Sequence, residues 1–396
     1  MRILFLTSRI PYPPHRGDKL KIWNLMRQLA SRHEIFLLTF IQSKEEERYI
    51  APLKEVCREV ETVHLPLWRS LLNCAAALFG KEPFQVAYYR SPAMERRLSQ
   101  ALQRLQPDVL HTHLIRMAQY TATPGGLPRV LDMTDAVSLY LSRFRDAQSN
   151  PLKKWALGLE LKRMHEYEPI IGQFDRALVC SHTDMEFLRR RGPDFKLDLL
   201  RNGVDLEAFS VNGTAQADPY RIMFSGNMSY YPNIDGAKFL VSEVFPLVKK
   251  SVPQARLYIV GQNPPSQVTS LASADITVTG FVPDIRAEYL KSAVAVSPIR
   301  FGAGTLNKVL EPSALGVPVV TTSIGWEGLG LESEKEILVA NDPRSIATAI
   351  IRLLKDPTLR SSIGQHAAQK VRATLGWETI AGDLEAIYEQ IVKKAR

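Results

Sequence analysis

The chain alternates short apolar runs with amphipathic stretches, and it does so in two consecutive series. The first opens with Arg2-Ile-Leu-Phe-Leu-Thr7, a loop rich in Pro and Gly (Pro11, Pro13, Pro14, Gly17), a helical pattern to about Arg32, and then Ile35 to Phe40. Asp108 to His113, Arg129 to Met133 and Arg176 to Cys180 repeat the strand signal, and a helix is expected to start near Ser181. Strands apolar on both faces need cover on both faces, which is the condition of a parallel sheet flanked by helices. After the linker-like stretch Asn212 to Pro219 the second series runs through Arg221–Ser225, Arg256–Val260, Ile276–Thr279, Ala293–Val296 and Val317–Thr321. Three of its runs end at Gly226, Gly261 and Gly280. Two doubly wound α/β domains are therefore expected, with ligands at the carboxyl ends of the strands.

A length of 396 residues accommodates two such domains. With 45% hydrophobic and 23% charged residues the chain is not of the disordered class. Its three cysteines, Cys57, Cys74 and Cys180, are too scattered for a disulfide framework or a sulfur-rich metal site, so a cytoplasmic setting without export is expected. The longest apolar run, Leu71 to Phe79, is interrupted by Asn73 and falls short of the ~20 residues that span a bilayer. Net charge is +9, and residues 1–210 carry 31 Lys and Arg against 24 Asp and Glu. That bias suggests an anionic partner, either a phosphorylated ligand or a membrane face. The basic residues are dispersed and no nucleic-acid motif is present, so nucleic acid is not expected.

The densest chemical signal is Pro298-Ile-Arg-Phe-Gly-Ala-Gly-Thr-Leu-Asn-Lys-Val-Leu-Glu311. Gly302 and Gly304, with Thr305 and Leu306, put backbone amides at the start of a helix, a setting suited to a diphosphate. Arg300 and Lys308 add positive charge, and Glu311 is placed to accept hydrogen bonds from ribose hydroxyls. The alternative is a solvated Lys308 paired with Glu311 across adjacent turns. In the first series, Gly17 precedes a helix but lacks both the three-glycine dinucleotide fingerprint and the Walker pattern. His111 and His113 share one face of a strand without further ligands nearby in sequence, so no metal is expected. His113 at the strand's end reads instead as a contact to a substrate hydroxyl or as a structural histidine. Asp135 stands after the next strand as a binding residue or a helix cap.

These residues resemble the glycosyltransferases of family 4, which have the GT-B architecture of two facing Rossmann-like domains. The likeness spans nearly the whole chain and is most specific at Arg201-Asn-Gly-Val-Asp205, Gly280-Phe-Val-Pro-Asp284, the 298–311 segment and Glu311–Val320. Phe224–Asn233 and Thr322–Gly328 look like a branch associated with bacterial exopolysaccharide synthesis. The resemblance implies metal-independent transfer, with retention, of a sugar from a nucleoside-diphosphate sugar to a glycan or lipid-linked acceptor, with no cofactor. It also implies that the C-terminal helix returns to the first domain, giving domains 1–210 plus 378–396 and 211–377. By position, Gly17 matches the family's first-domain glycine loop and His113 its donor-sugar histidine. Gly280, Phe281 and Val282 match the segment framing the base, Gly304 to Leu306 the diphosphate-binding backbone, and Glu311 the ribose-holding glutamate. The chain departs from the pattern where the family's first glutamate is Ala303. The family's arginine and lysine after the strand ending at Gly226 are replaced by Asn227 and the Pro232-Asn233 region. Arg300 and Lys308 are the cations left to act on the phosphates as catalytic groups.

Trp68, Arg69, the Leu71–Phe79 run and Lys81 read either as a core helix or as a contact to an anionic membrane surface, which would make the protein peripheral at the inner face of a membrane. A nucleotide-sugar-binding protein without turnover and a nucleotide-sugar epimerase remain alternatives on the same architecture.

Overall fold

The computed structural model describes residues 1–14, 17–122, 125–210, 217–302 and 306–395. The chain divides into two compact units, Met1–Arg201 with Trp377–Arg396, and Asn202–Gly376. The sequence reading set these boundaries at 210/211 and 377/378.

In the first unit the strands are β1 (Arg2–Thr7), β2 (Glu34–Ile41), β3 (Glu59–His64), β4 (Val109–His113), β5 (Arg129–Thr134), β6 (Arg176–Val179) and β7 (Leu197–Leu199). They lie in the order β3-β2-β1-β4-β5-β6-β7, every neighbouring pair parallel. The chain winds outward from β1 in one direction and then restarts beside it at β4, so the β1/β4 edge is the topological switch point. Leu4, Leu6, Phe36, Leu38 and Leu110 bury one face of the sheet against Met94, Leu98, Ala101 and Leu105 of the helix Pro92–Leu105. That helix shows the i, i+4, i+7 spacing expected of an element covering a sheet. The helix Trp377–Ala395 buries Trp377, Ile380, Ala381, Leu384, Ile387, Tyr388 and Ile391, and its Tyr388 hydroxyl lies 2.7 Å from His111 Nδ1 in β4. Glu385 on the same helix accepts from Arg32 Nε at 2.9 Å.

The second unit contains β8 (Asp218–Ser225), β9 (Arg256–Val260), β10 (Ile276–Gly280), β11 (Ser292–Ser297), β12 (Val319–Thr321) and β13 (Leu338–Val339). Their order is β10-β9-β8-β11-β12-β13, again parallel throughout, with the switch point between β8 and β11. Ile222, Phe224, Leu257, Ile259, Val294 and Val296 form the core with Ile346, Ile350, Leu353 and Leu354 of the helix Pro343–Lys355.

The fold class expected from the sequence is the one observed. Among the described residues, no helix is long and apolar enough to cross a membrane. The Leu71–Phe79 run departs from the core-helix reading. The helix Leu67–Ala77 turns Ser70 and Ala77 inward and leaves Leu71 57% and Leu72 60% exposed.

Candidate functional site

At the switch point of the second unit, β8 ends in Ser225 and the chain turns at Gly226. A side chain is excluded there. Gly226 has φ +155°, and a Cβ would lie 2.6 Å from Asn233 Nδ2 and 3.2 Å from Lys308 Nζ. The neighbouring strand closes on it so tightly that a Cβ at Gly261 would meet the Gly226 carbonyl oxygen at 1.8 Å. The loop beyond Gly226 is set by its own hydrogen bonds: Ser229 N and Oγ donate to Asn227 Oδ1 at 3.0 and 2.7 Å, and Asn233 Nδ2 donates to the Asn227 carbonyl at 2.7 Å. Asn233 then accepts, through Oδ1, a hydrogen bond from the Lys308 ammonium.

Lys308 belongs to the helix Asn307–Ala314, which follows β11. Its side chain is partly exposed along its length, but its ammonium sits against Gly226, Asn233 and, at 5.4 Å, the face of Phe224. Burial pushes the pKa of this amine down to about 7, and the attraction of Glu311 opposes that fall. Glu311, one turn further on, is pushed up to about 7 by burial, against the hydrogen bond from Tyr289 and the charge of Lys308. Tyr289 Oη donates to Glu311 Oε2 at 3.3 Å and lies 2.6 Å from Ser225 Oγ. Ser225, Gly226, Tyr289, Lys308 and Glu311 thus form one polar patch at the carboxyl end of β8.

Arg300 lies apart from this patch in its bonding. Its Nε and Nη2 donate to the two carboxylate oxygens of Asp235 at 2.9 and 2.6 Å, and its guanidinium covers the Phe239 ring at 4.6 Å. Of the two cations expected to replace the family's pair, Lys308 is the one at Gly226, and Arg300 is neutralised. Gly280 ends β10 with φ +72°, Phe281 is 72% exposed, and Val282 is half-buried. Gly302 has φ +155°, and Leu306 caps the helix Asn307–Ala314 while packing on the core. Ala303, Gly304 and Thr305 lie outside the described residues.

In the first unit, His113 ends β4 and is buried, with Nε2 lacking a hydrogen-bond partner among the described residues. Burial lowers its pKa to about 4 despite the nearby Asp132 carboxylate, so the imidazole is neutral at pH 7. Sequence reasoning did not single out Lys21. Its Nζ is fully buried and donates to Asp132 Oδ1 at 2.9 Å and to the Leu200 carbonyl at 3.3 Å. The signal available for it was its place on the inward face of the helix Gly17–Leu29, where Lys21, Ile22 and Leu25 are buried together. Burial alone would raise the Asp132 pKa; Lys21 and the two histidines hold it below the usual carboxylate value. Gly17 starts that helix in an exposed position, and a Cβ there would meet nothing within 4 Å. The space around Gly17 therefore does not require a glycine.

Asp135 is drawn to a different group. Cys180 Sγ donates to Asp135 Oδ1 at 3.2 Å, and Asp184 Oδ1 accepts from the Ala136 amide at 3.0 Å. Ligand atoms of Asp135, Cys180 and Asp184 lie within 4.8 Å of one another. Burial, followed by repulsion from Asp184, pushes the Asp135 pKa up to about 7.

A family model described as "Glycosyltransferase Family 4" matches residues 22–208, and one described as "Glycosyl transferases group 1" matches residues 219–356. The chain is a family 4 glycosyltransferase. This glycosyltransferase is 23% identical over 367 residues to an uncharacterized 44.6 kDa protein in the cps region of Klebsiella pneumoniae, covering 90% of this chain and 91% of that one. It is 30% identical over 231 residues to a GDP-mannose-dependent α-(1-6)-phosphatidylinositol monomannoside mannosyltransferase of Mycobacterium tuberculosis, covering 52% of this chain and 60% of the relative. Its fold is similar to that of sucrose-phosphate synthase from Thermosynechococcus elongatus, with TM-score 0.74 at 17% identity and both chains fully covered. Anabaena HepE in complex with UDP superposes with TM-score 0.71 at 14% identity, over 98% of this chain and 100% of that one. These folds are GT-B, and relatives from a capsule region fit a role in cell-surface glycan synthesis.

Proposed function

We propose that this glycosyltransferase moves a sugar from a nucleoside-diphosphate sugar to a hydroxyl of a growing cell-surface glycan, with retention at the anomeric carbon and without a metal ion. The observation that carries the reading is the Lys308 ammonium seated at Gly226, on the switch point of the second unit. Breaking the anomeric C–O bond leaves the electron pair on the diphosphate, while the acceptor oxygen forms the new bond and passes its proton to the departing diphosphate. A departing diphosphate is stabilised by a cation that is already in place. Lys308 supplies the cation, and Glu311 accepts from the ribose hydroxyls. Neutral His113 hydrogen-bonds a hydroxyl of the transferred sugar. Support for the donor class comes from the relative named for GDP-mannose and the neighbour described with UDP.

The test is a panel of UDP-, GDP- and dTDP-sugars scored by thermal shift and by release of free nucleotide, comparing the natural chain with Glu311→Ala. Binding with release that depends on Glu311 is expected, with the rate unchanged by EDTA and the α or β configuration of the donor kept in the product by NMR. Absence of binding to every member would remove the nucleotide-site reading. Binding without turnover across donors and acceptors would make the chain a binding protein instead.

A further inference from the structure

A surface helix of a soluble domain normally buries its apolar stripe and exposes its polar one. The helix Leu67–Ala77 does the reverse. Its inward positions are Ser70, Asn73, Cys74 and Ala77, which follow the i, i+3, i+4, i+7 spacing of a buried face. Asn73 Nδ2 donates to the Arg90 carbonyl at 2.9 Å, and Cys74 Sγ approaches the Phe84 carbonyl at 3.6 Å, so this polar stripe is the one anchored to the protein. The outward positions are Trp68, Leu71 and Leu72, at 62%, 57% and 60% exposure, continued by Leu78 at 60% and Phe79 at 96%.

A second helix, Pro151–Tyr167, joins the same surface. Its Glu160 carboxylate accepts from the Phe84 and Gln85 amides, and Arg163 donates to the Leu78 and Glu82 carbonyls, so the segment following Ala77 is seated on this helix. Two turns toward its N-terminus, about 12 Å along the axis, residues 151–156 are all exposed, among them Leu152 at 72% and Trp155 at 67%. Folded monomers rarely leave so many large apolar side chains of neighbouring segments exposed to water.

The charges carried by the two segments are of one sign. Arg69, Lys81, Lys153 and Lys154 are exposed, and neither 65–81 nor 150–159 contains an Asp or Glu. The flanking carboxylates are occupied, Glu82 by Arg90 and Glu160 by backbone amides. Tryptophan and leucine framed by lysine and arginine suit the boundary between headgroups and acyl chains of an anionic bilayer. We infer that the helix Leu67–Ala77, Phe79 and the start of the helix Pro151–Tyr167 lay this glycosyltransferase on an anionic membrane surface. The acceptor would then be met at the lipid, and the nucleotide-binding residues of the second unit take no part in the attachment.

The experiment is sedimentation of the full chain with phosphatidylcholine vesicles and with vesicles containing phosphatidylglycerol. Quenching of tryptophan fluorescence by doxyl-labelled lipid is read in parallel. The protein is expected to pellet with the anionic vesicles and to be released by salt. Trp68→Ser with Phe79→Ser should lower partitioning by about tenfold or more, and neutralisation of Lys153 and Lys154 to glutamine by about fivefold for each lysine. The doxyl quench should shrink in Trp68→Phe with Trp155→Phe. All of these side chains are exposed, so the variants should keep the natural melting temperature and the natural rate of nucleotide release. A protein that stays in the supernatant with both vesicle types overturns the inference. So does a dimer in sedimentation velocity that Phe79→Ser dissolves, which would assign the surface to a second copy of the chain.

Discussion

The two units share a strand order and a switch point but use that point differently. In the first, the carboxyl ends of β4 and β5 lead into a closed interior network: Lys21 with Asp132, Asp132 beside His111 at 3.8 Å, and His111 with Tyr388 from the C-terminal helix. In the second, the strand end carries glycines at 226 and 261, and its cation is held by an amide side chain, Asn233, instead of a carboxylate. The comparison teaches how one topology fixes a cation for stability in one unit and holds one for a ligand in the other. A carboxylate fixes a buried cation for good, because losing it strands a charge in low dielectric. An amide holds a cation in place without neutralising it, leaving its charge for a ligand.

The contrast is broken most forcefully by Asp132→Asn. It strands the Lys21 ammonium, and a loss of about 3–5 kcal/mol in stability is expected from denaturant unfolding followed by far-UV circular dichroism. Asn233→Ala removes only a neutral acceptor from Lys308 and should cost no more than about 1–2 kcal/mol. Equal losses at the two positions would show that the units do not differ in this way.

Gly226→Ala comes next. A Cβ would intrude on Asn233 and Lys308 at a positive φ, and kcat/KM should fall by about ten- to a hundredfold while the first unit's unfolding is unaffected. Gly17→Ala, where a Cβ meets nothing, should change kcat/KM by less than about threefold, the scale of an ordinary exposed substitution.

A smaller effect is expected from pH. With its pKa lowered to about 7, Lys308 is charged below that pH and loses its proton above it, whereas Glu311, pushed up to about 7, gains its charge over the same range. The weakening of donor affinity from pH 6 to 8.5 that belongs to Lys308 is therefore read in a Glu311→Gln chain. Lys308→Arg, whose guanidinium keeps its charge, should flatten that limb. The smallest change belongs to Tyr388→Phe, which removes one hydrogen bond to His111 and should cost about 1 kcal/mol with no change in donor affinity.

The sequence made the central strands legible because they are apolar on both faces and end in glycine or a polar turn. It did not reveal β3, β7 and β13, which are edge strands: Glu59-Val-Glu-Thr-Val-His64 has the alternating, half-buried look of an edge, and the other two are three and two residues long. The glycines, Lys308 and Glu311 were legible as a group because they share one segment, 298–311. What could not be read was their partners. Asn233 meets Lys308 across 75 positions and Tyr289 meets Glu311 across 22, and only the fold brings them together. Arg300 was read as a cation for the phosphates because Asp235, which neutralises it, lies 65 positions away. The exposed leucines of the helix Leu67–Ala77 defeated the usual rule that apolar runs go inward, since the polar stripe is the one that anchors.

The claim that Lys308 is the cation at the nucleotide site is tested most directly by calorimetric titration of the donor identified in the panel into three chains: the natural one, Lys308→Ala and Arg300→Ala. The account predicts that Lys308→Ala weakens binding by about tenfold or more, the scale of a lost charge-assisted hydrogen bond. Arg300→Ala should bind within about twofold of the natural chain, as for an exposed ion pair of small net worth. Undiminished binding in Lys308→Ala, with the loss falling on Arg300→Ala instead, would contradict it.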